Sequence, residues 1–320
     1  MEPPLPPLHP LLPQLLDHLQ LRVVDAVKWN VLACVEADDP GANPTLILKF
    51  GTDDRKTDSI NYEVRIVRDV LPSIDQSLFE RLVLPEFVKD GTQNGVRWML
   101  IRHVAGRPLV HEWSELTLKP ETLGGKSLDA EGGKLAVDVL RDLRLVDITQ
   151  LPKFVRRFNF SAQLETFKTQ GAELVRRGLM EQVTLDDACR LFSAKQAQRY
   201  EGTMFTNGDF YPRNFIVLPH GKVAVVDWVG GIDPWEFVAM HAWLLMWGNA
   251  PWQQTYLREI KKHFPVDIDE MQAGLLVKSF DAIWRWRDLS EEQVGFSRTQ
   301  MIAYFKECTD VEYVKKIFEM

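Results

Sequence analysis

The chain is poor in cysteine: Cys34, Cys189 and Cys308 are the only three in 320 residues, widely spaced, with no CxxC and no Cys/His cluster. An odd, scattered set supports neither a disulfide framework nor a zinc site. No apolar run approaches the length that spans a bilayer, so no membrane partner is expected. There is also no block of Lys or Arg. With 38 basic and 45 acidic residues the formal net charge is −7, which argues against a nucleic-acid partner. The opening Met1-Glu2-Pro3-Pro4-Leu5-Pro6-Pro7 lacks the basic start and the continuous apolar core of a secretory signal, so the expected location is cytoplasmic. What the chain does have is 45% apolar residues over a length too great for one typical core and suited to two lobes. Its acidic balance tilts the expected small-molecule partner toward cationic or neutral species.

The most informative stretch runs from Thr206 to Trp228. Phe215 to Leu218 and Val223 to Val226 are short apolar runs rich in β-branched residues, separated by Pro219-His220-Gly221-Lys222, which is the pattern of a hairpin. Asp209 and Asn214 precede the first strand and Asp227 ends the second, so folding the hairpin is expected to bring all three to one edge. Phosphoryl transfer requires such a set: a carboxylate to orient an acceptor hydroxyl and take its proton, and hard oxygen ligands for Mg²⁺ on nucleotide phosphates. Asp209 suits the first role, and Asn214 and Asp227 the second.

Asn207-Gly208-Asp209, then Asn214, then Asp227-Trp228 resembles the aminoglycoside phosphotransferase and choline kinase family, whose loop usually reads His-Gly-Asp-x-x-x-x-Asn. Asn207 stands where the family has His, a residue that packs and hydrogen-bonds beneath the loop. The resemblance implies an α+β, two-lobed, protein-kinase-like fold with a small β-rich N-terminal lobe (residues 1–102) and a larger helical C-terminal lobe (103–320). It also implies ATP and Mg²⁺ as cofactors, a small-molecule acceptor, and Asp209 and Asn214 as catalytic residues, with Asn214 and Asp227 on the metal.

Upstream features fall in the family's order. Leu11 to Leu21 carries leucines at helical spacing; Leu21–Asp25, Asn30–Glu36 and Thr45–Phe50 read as strands. The first turn, Ala26-Val27-Lys28-Trp29, contains no glycine, leaving either Lys28 and backbone amides to cover phosphates or a plain turn with no ligand. Lys49 lies inside an apolar strand, where an ammonium is costly without a partner. By resemblance it pairs with nucleotide phosphates and with Glu63, on a helix expected over Ser59 to Leu71. The strand from Arg97 ending at Gly106-Arg107-Pro108-Leu109 looks like the entry to the interlobe hinge, with backbone groups of Ile101, Arg102, His103 and Val104 binding the adenine edge.

Beyond residue 109 the pattern turns helical, at Leu135–Leu143, Phe158–Leu179, Leu185–Tyr200, an aromatic-rich segment through Trp243 and Trp247, and Met271–Leu289. On the last of these, Asp281, Trp284 and Asp288 share a helical face that could wall a cationic acceptor. Two functions follow from this reading. One is a Mg-ATP-dependent phosphotransferase acting on a hydroxyl of a small molecule. The other, favoured by Asn207 and the glycine-free turn, is a non-catalytic nucleotide-binding or scaffold protein on the same fold.

Overall fold

A computed structural model describes residues 10–28, 31–38, 43–51, 53–109, 130–196, 203–246, 249–288 and 297–319. Of the expected first turn Ala26-Val27-Lys28-Trp29, residues Ala26 to Lys28 continue the first strand, paired with the next one, and Trp29, like Trp247, lies outside the described residues. The fold is α+β and kinase-like, with a β-rich N-terminal lobe and a mostly helical C-terminal lobe. The chain separates into two compact units, residues 1–107 with 216–229 and residues 108–215 with 230–320. The sequence reading placed 216–229 with the helices. That stretch packs with the first unit because β11 (Val223–Val225) runs parallel to β4 (Leu82–Val83), and the Val223 amide donates to the Arg81 carbonyl at 2.8 Å.

The first unit is built on an antiparallel sheet, β1 (Leu21–Lys28), β2 (Val31–Glu36), β3 (Leu46–Phe50), β6 (Val96–Arg102) and β5 (Phe87–Gln93), in the order β1-β2-β3-β6-β5. Strand side chains alternate between faces, so Leu46, Leu48 and Phe50 share one face with Leu32, Cys34, Trp98 and Leu100. Helix α1 (Leu12–Leu19) covers that face with Leu12, Leu15 and Leu19. Lys49, one residue out of phase, points to the opposite face. Helix α2 (Asp54–Arg65) follows, and it starts five residues before the expected helix because Asp53 caps it, accepting from the Lys56 amide at 2.7 Å. It continues into a π-helical turn, Ile66–Val70, and a 3₁₀ turn holding Pro72.

The second unit is mainly helical. Helices α3 (Ala130–Leu143), α4 (Phe160–Arg176), α5 (Gln182–Gln196), α6 (Trp235–Leu245), α7 (Ala250–His263), α8 (Ile268–Trp286), α9 (Ser297–Glu307) and α10 (Val311–Glu319) are described. Aromatic rings knit them together: Phe167 stands edge-on to both Phe192 and Phe280, with centroids 4.7 Å apart in each case. Helix α6 is apolar nearly all round and is accordingly buried along its length. Helix α7 escaped the sequence reading, although Asn249 caps it, accepting from the Trp252 amide, and Pro251 sits in its first turn. A small sheet of β8 (Arg156–Arg157), β12 (Gly231–Asp233) and β9 (Met204–Phe205) anchors the loop that begins at Thr206.

Candidate active site

In the first unit, Lys49, Glu63 and Asp227 meet. Lys49 projects from β3 on the face away from α1, and its Nζ donates to Glu63 Oε1 at 2.5 Å and to Asp227 Oδ1. The Lys49 and Glu63 side chains are each 6% exposed and that of Asp227 is 26% exposed, so the ammonium is sealed while one carboxylate reaches solvent. Burial opposes the charge on Lys49, but Asp227 and Glu63 together overcome it and raise its pKa. Burial also pushes the Glu63 carboxyl up against the pull of Lys49, and Asp227 adds to that push.

Two devices fix Asp227. Its φ of 59° is left-handed, a conformation Asp tolerates better than most residues, which turns the chain sharply after β11. The next residue, Trp228, is fully buried; its indole donates to the Val225 carbonyl at 2.7 Å and its amide to Glu63 Oε1 at 3.3 Å. Trp228 therefore ties the turn to the same Glu63 that holds Lys49. The sequence flagged this tryptophan only through resemblance, since a bond from its amide to a residue on α2 has no local signature.

Of the adenine-edge candidates, Ile101 and Arg102 close β6, Ile101 buried and Arg102 exposed. The Arg102 amide donates to Glu86 and the His103 amide to Thr45, both at 2.9 Å. Val104 lies past the ladder, and among the described residues its amide has no protein acceptor. Burial holds the His103 imidazole below its usual range.

In the second unit, Asp209 and Asn214 meet. Asn214 is 2% exposed; its Nδ2 donates to the Asp209 carbonyl at 2.8 Å, which turns its Oδ1 away from that bond. Asn207 is fully buried and donates to the same carbonyl at 3.2 Å. Asn207 thus braces the loop from beneath. Gly208 sits at φ 83°, and Gly230 lies so close that a Cβ there would come within 2.1 Å of the Gly208 nitrogen. Only a glycine lets the chain after Asp227 pass beneath the loop. The Asp209 side chain is 29% exposed, with His241 Nε2 3.6 Å from its Oδ1, beyond hydrogen-bonding distance. Burial first, then Lys278 and Arg285, hold His241 well below its usual range, so it stays neutral near pH 7. His241 sits on an apolar helix that gave no reason to single it out.

The wall of Asp281, Trp284 and Asp288 does not form. Asp281 faces a cavity shared with Asp209, whereas Asp288 lies beyond the end of α8 and pairs with Arg177 at 2.5 Å. Trp284 is covered by the Arg287 guanidinium, 3.8 Å from its ring centroid. Among the described residues no group of three His, Cys, Asp or Glu side chains gathers as a ready metal cage.

The structure can be set beside solved ones. Aminoglycoside phosphotransferase APH(4)-Ia superposes with a TM-score of 0.60 at 14% identity, covering 95% of this chain and 97% of that one. The chain has the fold of the small-molecule kinases. Aminoglycoside phosphotransferase APH(2'')-Ib, solved with ADP bound, gives 0.57 at 13% identity over 93% and 98% of the two chains. The choline kinase LicA from Streptococcus pneumoniae gives 0.53 at 11% identity over 92% and 96%. No protein-family profile matches the chain, and no curated protein matches it by sequence. At these identities the likeness is one of fold.

Proposed function

We propose that the protein is a Mg-ATP-dependent phosphotransferase that phosphorylates a hydroxyl of a small molecule. The observation that carries this reading is the sealed ammonium of Lys49 between Glu63 and Asp227. Such an arrangement gains little stability over an apolar trio and is more economically explained by a ligand that one of the carboxylates will leave to meet. Lys49 would pair with nucleotide phosphates while Glu63 keeps it oriented. Asp227 would turn to the metal, and Asn214 would add its amide oxygen. Carboxylate and amide oxygens suit Mg²⁺, which completes its shell with water and phosphate oxygens and, when bound, neutralises phosphate charge. The Val104 amide and the chain at Ile101, Arg102 and His103 would meet the adenine edge.

Chemistry then falls to Asp209. It orients the acceptor hydroxyl and takes its proton as the new O–P bond forms and the γ-phosphorus parts from the oxygen that leaves with ADP. The neutral His241 beside it adds no positive charge that would weaken it as a base. The glycine-free first turn favours the second reading, a non-catalytic nucleotide binder, because close backbone cover of phosphates is what glycine supplies. Both readings meet the same test: ADP release from Mg-ATP over a panel of small alcohols and amines, for the parent and for Asp209→Ala. The expected result is turnover in the parent and a loss of at least ~10² to 10³-fold in the variant, with cooperative unfolding retained. Variant activity within about tenfold of the parent would remove Asp209 from the chemistry. A parent that binds Mg-ATP but turns over none of the panel would establish the binder instead.

A further inference from the structure

Helix α8 carries Lys278, Asp281 and Arg285 at positions i, i+3 and i+7, which places them on one face. That face lines a cavity of about 140 Å³ within the second unit, together with Asp209, Tyr211, His241 and Trp286. Lys278 is partly buried, and among the described residues neither Lys278 nor Arg285 makes a hydrogen bond or an ion pair. This sets them apart from their neighbours: Arg177 and Arg287 both hold Asp288. Asp281 acts on both Lys278 and Arg285, and Asp233 on Lys278, while burial pushes both carboxyls upward. Half-buried Lys278 and exposed Arg285 therefore keep their donors open toward a cavity that also holds the candidate base, where an entering anion could be bound.

We infer that this cavity receives the acceptor, and that the acceptor is a small alcohol bearing an anionic group, a carboxylate or a phosphate monoester, gripped by Lys278 and Arg285. The inference rests on the phosphotransferase reading for its direction of chemistry but not for the anion site itself. A polycationic acceptor would meet Lys278 and Arg285 as like charges. The formal charge of −7 for the whole chain pointed to a cationic or neutral partner; the local face of α8 reverses that expectation. With the anion held on α8, the acceptor hydroxyl lies toward Asp209. Its proton passes to the Asp209 carboxylate as the O–P bond forms and ADP leaves.

Two measurements on the full chain test this. In the first, ADP release from Mg-ATP is followed with glycerate and glycerol 3-phosphate, against glycerol, choline and kanamycin, for the parent, Lys278→Gln and Arg285→Gln. Turnover of one or both anionic alcohols is expected, with KM raised ~10 to 100-fold in each variant and kcat changed far less. Which of the two is used identifies carboxylate or phosphate as the anchor. In the second, binding of glycerate, glycerol 3-phosphate and inorganic phosphate is read by calorimetry without nucleotide. Thermal midpoints confirm that each variant is folded, and Lys278→Met serves if the glutamine variant is not. The parent and Asp209→Asn should bind an anion, and both α8 variants should lose it. Turnover confined to glycerol, choline or kanamycin, indifferent to Lys278 and Arg285, would overturn the inference and leave the phosphotransferase reading intact. Anion binding lost in both variants with no turnover of any acceptor would do the reverse. Absence of anion binding and of anionic turnover alike would overturn the site.

Discussion

Replacing Lys49 by Met keeps the length and apolar stem of the side chain and removes only the ammonium held between Glu63 and Asp227. Removing one partner of a buried ion pair costs ~3 to 5 kcal/mol, because the remaining charge is stranded. Two features here reduce that figure. Asp227 is 26% exposed and can turn to water, and the Glu63 carboxyl, already pushed upward by burial, can take up a proton. The expected loss of folding stability is therefore about 2 to 3 kcal/mol near neutral pH. Its pH dependence follows from the sign of the shift. A carboxyl whose folded pKa lies above its unfolded value is carried without penalty below the unfolded value, and stability falls as pH rises through the folded one. In the variant only the Trp228 amide still opposes that rise for Glu63, so the gap between parent and variant should widen from pH 5 to pH 8. Urea unfolding at the two pH values reads it directly, with the dependence on urea unchanged. Adding Glu63→Gln to the variant should recover most of the loss. Ligand linkage gives an independent reading. Mg-ATP at a hundred times its dissociation constant stabilises the parent by about 2.7 kcal/mol; if Lys49 contributes a hundredfold to affinity, the same concentration stabilises the variant by only about 0.4 kcal/mol. Adenosine should act almost equally on both. A stability gap below about 0.5 kcal/mol that is flat with pH, or an unchanged response to Mg-ATP, would refute the argument that this ammonium is sealed and aimed at phosphates.

Much of this arrangement was legible before the fold was seen, because the residues concerned carry local signals. Lys49 stood out as a charge in an apolar strand, and Asp209, Asn214 and Asp227 as polar ends of a hairpin at fixed offsets. Glu63 required a guess at which helical carboxylate would face Lys49, and the cap at Asp53 shows why the helix itself began earlier than its apolar pattern. What escaped was non-local. His241 lies on a helix apolar all round, so nothing in its neighbours distinguishes it. The bond from the Trp228 amide to Glu63 joins residues 165 apart in sequence. The helical-wheel argument for Asp281, Trp284 and Asp288 failed for a specific reason: a shared face assumes the helix continues, and α8 ends at Trp286, before Asp288. The same argument applied to Lys278, Asp281 and Arg285 stays inside the helix and holds. Lys278 and Arg285 carry no such local signal, because cations and a carboxylate along one helical face have the pattern of an ordinary solvated flank.

Three further outcomes are expected. Asp227→Ala should abolish the Mg²⁺ dependence of nucleotide binding, and an unchanged Mg²⁺ titration would remove that carboxylate from the metal. Gly230→Ala should lower kcat severely, since its Cβ would sit 2.1 Å from the Gly208 nitrogen and must displace the loop carrying Asp209; wild-type kcat would show that the loop tolerates the displacement. The last concerns Glu236, in the first turn of α6, which is 4% exposed and has one carboxyl oxygen with no hydrogen-bond partner among the described residues. Burial, with smaller contributions from Glu270 and Asp267, raises its pKa from 4.5 to about 7. The folded value exceeds the unfolded one, so the protonated carboxyl is carried without penalty below about 4.5, and stability declines as pH rises through about 7. A shift of that size corresponds to roughly 3 kcal/mol between the two ends of the window. Glu236→Gln, neutral at every pH and of the same shape, should therefore be more stable than the parent at pH 8 and nearly equal to it at pH 4.5. Parallel stability profiles for the two proteins across that window would mean that Glu236 is charged in the folded state and that its neighbours, not its burial, decide its ionisation.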